Sequence, residues 1–170
     1  METCLELIRN VIQGGSKVLV FSQFTAFLNR IQEQLNQMEI ESYLLVGTTP
    51  KSKRSELVQR FNETDEAKVF LISLKVGGTG LNLTAANVVI HVDPWRNAAA
   101  QNQATDRAYR MGQKKAVTVF KLITKNTLEE KIYELQIQKA ALSTSVMGVD
   151  GMTPSNLSRE ELLEILQISE

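Results

Sequence analysis

The chain has few of the residues that form disulfide bonds or bind metal ions, with one cysteine and one histidine among 170 residues, and only three prolines. Cys4 alone cannot form an internal disulfide, and Cys4 with His91 cannot supply a four-ligand zinc cluster. The N-terminus lacks a basic and then apolar signal segment, and no run of 18 apolar residues occurs. We therefore expect an intracellular protein that needs no disulfide, no metal ligand of its own and no membrane partner.

The composition is that of a soluble globular domain, with 43% hydrophobic and 22% charged residues. Nineteen basic residues balance 19 acidic residues, but the charge is uneven along the chain. Residues 94–125 sum to +6 and residues 126–170 to −5. The basic block is either an anion-binding face or a solvated basic surface, and charge alone leaves both interpretations open.

Strand and helix patterns alternate over the first three quarters of the chain. Five runs rich in β-branched residues predict strands at 17–23, 42–47, 68–75, 87–93 and 116–124. The third and fourth runs are almost wholly apolar, which is typical of parallel strands covered on both faces. The sequence therefore predicts an α/β fold with an open, mostly parallel sheet, right-handed crossovers and helices on both faces.

Amphipathic stripes predict the helices between these strands. Thr49 is expected to cap the third helix, with Pro50 at its first position. The expected apolar stripes are Leu5, Ile8 and Ile12 before Gly14 and Gly15; Phe27, Leu28, Ile31, Leu35 and Met38 on 25–38; and Leu57, Val58 and Phe61. A further helix over about 98–110 is expected after Asn97.

Two helices without a further strand follow the last strand. Thr127 with Glu130, and Ser158 with Glu161, predict capping boxes on either side of a linker at 146–158. The first of these helices carries an apolar seam of Leu128, Ile132, Leu135, Leu142 and Val146. The seam packs either on the chain's own sheet, which we favour, or on a partner domain.

Two segments carry groups suited to binding phosphate. The loop at 73–86 has Gly77, Gly78 and Gly80, which let backbone N–H groups converge on an anion, and Thr79 and Asn82 can add donors. The loop fits neither the dinucleotide fingerprint nor the phosphate P-loop pattern.

The second segment is the predicted helix at 98–110. Gln103, Arg107 and Arg110 fall on one helical face, where two guanidinium groups can grip a phosphoryl group. The alternative is a surface stripe of arginines, one of them paired with Asp106.

Four segments stand out together: VLVFSQF (18–24), VGTTPKSKR (46–54), VFLISLKVGGTGLNLTAANVVIHVDPWRN (69–97) and QATDRAYRMGQ (103–113). They resemble motifs IV, IVa, V/Va and VI of superfamily 2 helicases, and specifically the second RecA-like lobe of SWI/SNF-family DNA translocases. The resemblance implies a RecA-like lobe over 1–125, a brace helix over 126–148, and a linker with a short C-terminal helix over 149–170.

The same resemblance implies roles for individual residues. Arg107 and Arg110 would act as arginine fingers on the γ-phosphate of ATP, with Gln103 as their catalytic neighbour and Asp106 arranging that face. The nucleotide would be met by Gly77, Gly78, Gly80 and Asn82, and the DNA backbone by Ser22, Gln23, Lys75 and Thr79. The implied partners are double-stranded DNA, a first RecA-like lobe that holds most of the ATP and Mg²⁺, and a DNA-bound protein target. The location would be the cytoplasm or nucleoid of a prokaryote, or the nucleus of a eukaryote.

The sequence holds neither the phosphate-binding lysine motif nor the Asp-Glu pair that the first lobe supplies in this family. We therefore interpret the chain as half of a motor, a fragment that begins just upstream of the lobe. A non-catalytic DNA- or protein-binding module of the same fold is the main alternative. An unrelated dinucleotide-binding oxidoreductase is a weaker one.

The isolated 170-residue chain is expected to hydrolyse ATP negligibly, with or without double-stranded DNA, because it has neither the phosphate-binding lysine motif nor the Asp-Glu pair of the first lobe. Steady-state phosphate release measures this directly, with Arg107→Ala as the matched control. DNA-stimulated turnover above that control would contradict the half-motor interpretation.

Overall fold

The structure is a computed structural model that describes residues 1–77, 81–93 and 116–146. In these ranges the helices are α1 Glu2–Gln13, α2 Thr25–Gln37, α3 Lys51–Glu63, the one-turn α4 Leu74–Gly77, and α5 Leu128–Val146. The strands are β1 Val18–Ser22, β2 Ser42–Leu45, β3 Val69–Ser73, β4 Val88–His91 and β5 Thr118–Lys121. The described residues fall into two compact units, one of Met1–Asp93 with 116–122 and one of 123–146. No helix in the described ranges is long and apolar enough to cross a membrane.

The five strands form one parallel sheet in the order β2-β3-β1-β4-β5. The central strand β1 pairs with β3 on one side and β4 on the other, so that Val18 lies between Val69 and Val88. All residues of β1, β3 and β4 are buried. The predicted parallel sheet is confirmed. Its strands are almost wholly apolar because they are buried on both faces.

Helices cover both faces of this sheet, as predicted. Side chains alternate along a strand, so one face of the sheet meets α1 and α2 in a single apolar cluster. That cluster contains Cys4, Leu5, Ile8, Leu28, Ile31, Leu35, Val18, Val20, Val69, Leu71, Val88 and Ile90. On the other face, the ring of Phe61 from α3 lies 5.2 Å from that of Phe70 in β3.

The C-terminal end of α3 is held by a lysine from the start of β1. Lys17 Nζ donates to the carbonyl of Phe61 at 2.7 Å and to that of Thr64, and it lies 3.3 Å from Asp65 Oδ1. A cation suits this place because the last helical carbonyls have no partner within the helix. Lys17 thereby fixes α3 against the sheet.

Three details of the predicted elements are wrong: the end of the third strand, the Thr49 cap, and the position of Pro50, which is the N-cap of α3 and not its first helical residue. The third strand ends at Ser73, and Leu74 and Lys75 begin α4 where the sequence predicted strand to residue 75. Thr49 does not cap α3: the N-cap is Pro50, which has no side-chain donor or acceptor, and Thr49 Oγ1 accepts a 3.1 Å hydrogen bond from Val46 N–H. Its hydroxyl closes the preceding turn because it lies one residue too early to reach the helix.

The predicted capping box at α5 forms in a shifted version. Thr127 Oγ1 accepts from Glu129 N–H at 3.3 Å, and Glu130 Oε2 accepts from Asn126 N–H at 2.8 Å. Asn126 adopts a left-handed conformation with φ of 59°, which asparagine tolerates better than most residues. Of the predicted seam, Leu128 is exposed while Ile132 and Leu135 are half-buried. The surface that this seam packs on stays a prediction, and the helices predicted at 98–110 and after Ser158 lie outside the described residues.

His91 is expected to make folding pH-dependent. Its ring is 1% exposed and stacks on Phe21 with centroids 5.5 Å apart. Burial, aided by the charge of Lys121, lowers the pKa of His91 from 6.5 to about 4. The unfolded chain therefore binds this proton more readily, and stability is lost as pH falls from 6.5 towards 4, by about 3 kcal/mol in all.

Urea unfolding of the chain at pH 7, 5.5 and 4.5 measures this loss. His91→Phe keeps the stacked ring without the titration, so the difference between the two proteins isolates this group. Parallel pH profiles for the two proteins would show that His91 does not contribute.

Candidate functional site

The carboxyl edge of the sheet is where the chain places its candidate binding residues. Ser22 and Ser73 are paired at the ends of β1 and β3, so the loop that begins at Gln23 and the one-turn helix α4 that begins at Leu74 leave the sheet side by side. Ligands of open parallel sheets bind beyond this edge. The geometry thus agrees with the region that the sequence indicated.

A buried carboxylate ties two of these loops together. The Ser22 hydroxyl donates to Asp93 Oδ2, and Gln23 N–H lies 3.2 and 3.3 Å from the two Asp93 oxygens. Phe24 N–H donates to Ser22 Oγ at 3.0 Å. Asp93 is only 5% exposed, and a buried carboxylate is tolerated when donors surround it. The end of β1 and the residues after β4 are therefore fixed relative to each other.

This tie involves one of the predicted DNA contacts, Ser22. Ser22 is fully buried and its hydroxyl donates to Asp93, and its contact with DNA stays a prediction. Gln23 is half-buried and Lys75 is exposed, so both are reachable from solvent. Sequence reasoning missed Asp93, although an acidic residue directly after an apolar strand was a usable signal.

The other predicted site residues divide into two groups. Asn82 is exposed and lies across from α3, where its carbonyl accepts a hydrogen bond, and Gly77 ends α4. The remaining ones lie outside the described residues: Gly78, Thr79, Gly80, Gln103, Asp106, Arg107 and Arg110.

A groove of about 660 Å³ runs along one face of α3, and we call it the α3 groove. One wall is formed by α3 residues that recur every three or four positions, and the other wall is the segment that precedes β4. The helical face extends roughly 16 Å, about the axial rise of five nucleotides of one strand. The lining residues are Lys51, Arg54, Ser55, Val58, Gln59, Asn62, Leu81 and Asn82.

Arg54 also stabilises the turn that precedes α3, at one end of the groove. Its Nε donates to the Thr49 carbonyl at 2.8 Å and its Nη2 to the Gly47 carbonyl at 3.0 Å. These bonds hold the guanidinium in place while Lys51 stays exposed beside it. Sequence reasoning missed these two cations as site residues, although three basic residues in the first turn of the predicted helix, Lys51, Lys53 and Arg54, were a usable signal of an anion-facing end.

The sequence profile of the helicase conserved C-terminal domain matches residues 1–112. The chain belongs to this family. Over 166 residues it is 39% identical to an uncharacterised ATP-dependent helicase of Mycoplasma pneumoniae, covering 98% of this chain and 16% of that protein. Over 138 residues it is 46% identical to the rice (Oryza sativa subsp. japonica) SNF2 domain-containing protein ENL1, covering 81% of this chain and 14% of that protein.

A solved structure places the fold in the same family. The SWI2/SNF2 ATPase core domain of Sulfolobus solfataricus superposes with a TM-score of 0.74 at 35% identity, covering 98% of this chain and 34% of that one. The helicase C-terminal domain described here is therefore RecA-like and of the SNF2/SWI2 type, as its motifs predicted. It spans less than a fifth of the two relatives, and the oxidoreductase alternative is discarded.

The bond between Ser22 and Asp93 is expected to show as an energetic coupling. Ser22→Ala and Asp93→Ala, alone and together, should give a double-mutant-cycle coupling of roughly 1–3 kcal/mol in urea unfolding, because each removal leaves a buried partner unsatisfied.

Ser42→Ala is the matched control for this cycle. Ser42 is also a buried serine, and in the described structure its hydroxyl has no hydrogen-bond partner. Its effect should add to that of Asp93→Ala. If the effects of Ser22→Ala and Asp93→Ala were also additive, the hydrogen bond between Ser22 and Asp93 would make no energetic contribution, which would contradict the prediction.

Proposed function

We propose that this helicase C-terminal domain is the second motor lobe of an ATP-dependent double-stranded DNA translocase. In this proposal the lobe follows the DNA backbone and completes an ATP site held mainly by a first RecA-like lobe. Translocation without strand separation is favoured by the resemblance to SWI/SNF motors. Family membership and the arrangement of the carboxyl edge support the proposal.

The observation that carries the DNA half of the proposal is the pairing of Ser22 with Ser73. It brings two residues from separate motifs to the same edge of the sheet: the half-buried Gln23, directly after β1, and the exposed Lys75, in α4 directly after β3. Lys51 and Arg54 add two cations at the α3 groove. Such groups suit phosphate oxygens, and contacts of this kind are independent of sequence and sensitive to salt.

The ATP half of the proposal rests on the family and on helical spacing. Arg107 and Arg110 would reach the γ-phosphate as arginine fingers, with Gln103 and Asp106 on the same helical face. Gly77, Gly78, Gly80 and Asn82 would border the nucleotide, and Thr79 would face the DNA. An arginine at a transferring phosphoryl group stabilises its developing charge and raises turnover by roughly 10³ to 10⁵. ATP with Mg²⁺ is the proposed cofactor.

The proposed partners follow from the same argument. They are double-stranded DNA, the first RecA-like lobe of the same protein, and a DNA-bound protein that the motor displaces or remodels. The proposed location is the intracellular compartment that holds the DNA, and the nucleus in a eukaryote.

In the full-length protein, two substitutions are expected to separate the two halves of the site. Arg107→Ala should abolish ATP turnover while ATP and DNA binding survive, because the finger acts on the transition state. Lys75→Ala should raise the half-saturating DNA concentration by roughly threefold to tenfold and lower the slope of log affinity against log salt by about one, because one phosphate contact is lost.

Lys68→Ala is the matched control for Lys75→Ala. Lys68 directly precedes β3 at the amino edge of the sheet. Lys68→Ala therefore removes the same charge at the edge opposite to Lys75. Equal effects of the two lysine substitutions would contradict the proposed DNA surface. Loss of DNA binding in Arg107→Ala would contradict the arginine-finger role of Arg107. Absence of ATP turnover in the unaltered full-length protein would favour the binding-module alternative.

A further inference from the structure

Asn62 bridges the two walls of the α3 groove. Its Nδ2 donates to the Asn82 carbonyl at 2.8 Å, and its Oδ1 accepts from Ala85 N–H at 3.2 Å. One carboxamide thus holds both ends of a four-residue stretch of the opposite wall. Asn62 and Asn82 both line the groove, so the first bond joins its two walls where they meet.

The segment that Asn62 holds has no strand or helix of its own. Residues 81–87 connect α4 and the glycine-rich stretch to β4, outside the sheet ladder. Backbone groups in such a connection need partners from side chains or water. Leu81 and Leu83 anchor the segment from the inside, since they are 9% and 0% exposed. The outer side is held to α3 by Asn62.

The residue type fits this task. Asparagine is a weak helix former, yet Asn62 occupies the last turn of α3, next to Glu63. A carboxamide carries its donor and its acceptor on two separate atoms, whereas an ionised carboxylate only accepts and a hydroxyl has both functions on one oxygen. Neighbouring Gln59 has the same group but bonds Glu63 within its own helix, at 3.0 and 3.2 Å from the two carboxylate oxygens.

We propose that Asn62 is a positioning residue that fixes the width of the α3 groove and thereby sets the affinity of the lobe for the DNA backbone. The proposal rests on the proposed function, because it takes the DNA backbone as the occupant of the groove. Asn62 carries no charge, so its effect on DNA is indirect: it holds the wall formed by Leu81 and Asn82 at a constant distance from Lys51 and Arg54.

The test compares three variants of the full-length protein. Asn62→Ala removes both hydrogen bonds and some volume, and Asn62→Leu removes both bonds at nearly constant volume. Gln34→Ala is the control, because it removes a carboxamide that bonds Gln37 within α2 and does not line the groove. Two quantities are measured: hydrogen exchange of the Ala85 amide, and the half-saturating concentration of a double-stranded DNA of random sequence in the ATP turnover assay.

Both Asn62 variants are expected to speed exchange at Ala85 by roughly tenfold and to raise the half-saturating DNA concentration by roughly threefold to tenfold, the effect of one or two lost hydrogen bonds. The slope of log affinity against log salt should stay that of the unaltered protein, because no cation is removed. Gln34→Ala should leave exchange at Ala85 and the half-saturating DNA concentration unchanged.

Three results would overturn the proposal: Ala85 exchange that is unchanged in both Asn62 variants, exchange that quickens while half-saturation stays the same, or an effect of Asn62→Ala that Asn62→Leu does not share. Failure of the proposed function looks different. In that case Lys75→Ala would leave DNA half-saturation unchanged. If Lys75→Ala weakens DNA binding and the Asn62 variants do not, the positioning role alone fails.

Discussion

The pairing of β1 with a parallel neighbour on each side is the constraint on which the rest of this structure depends. Because β1 is central, its backbone groups are satisfied on both sides by β3 and β4, and its side chains must be apolar on both faces. Parallel pairing also obliges the chain to return to the amino edge after each strand. The loops that leave the strands are thereby gathered at the carboxyl edge, where Gln23 and Lys75 emerge.

Three polar contacts convert this framework into a defined surface. Asp93 receives hydrogen bonds from Ser22 and Gln23, Lys17 holds the C-terminal end of α3, and Asn62 links α3 to the segment before β4. Each joins residues at least 20 positions apart. Hydrophobic burial is non-directional and leaves such loops free to shift, whereas a hydrogen bond to a particular atom fixes both distance and direction.

Agreement between sequence and structure was best where one local pattern had one physical cause. The apolar runs of β1, β3 and β4 were predicted because a strand buried on both faces is apolar along its whole length. The stripes of α1 and α2 were predicted because a helix buried on one face repeats apolar residues every three or four positions. Prediction failed at Thr49 and at Lys75. A threonine before Pro50 can close a turn or cap a helix, and the end of an apolar run can continue a strand or begin a helix; only the surrounding contacts choose between them.

By itself the sequence determined the α/β class, the parallel sheet and the helicase family, because these follow from periodic patterns and from motifs that are contiguous in the chain. The tertiary structure alone decided that Ser22 is buried against Asp93, that Arg54 braces the turn at 47–49, and that Asn62 faces Asn82 across a groove. The physical reason is that such contacts depend on which loops the sheet order brings together. Sequence periodicity reports which face of an element is buried, and it carries no information about which distant polar group will lie opposite.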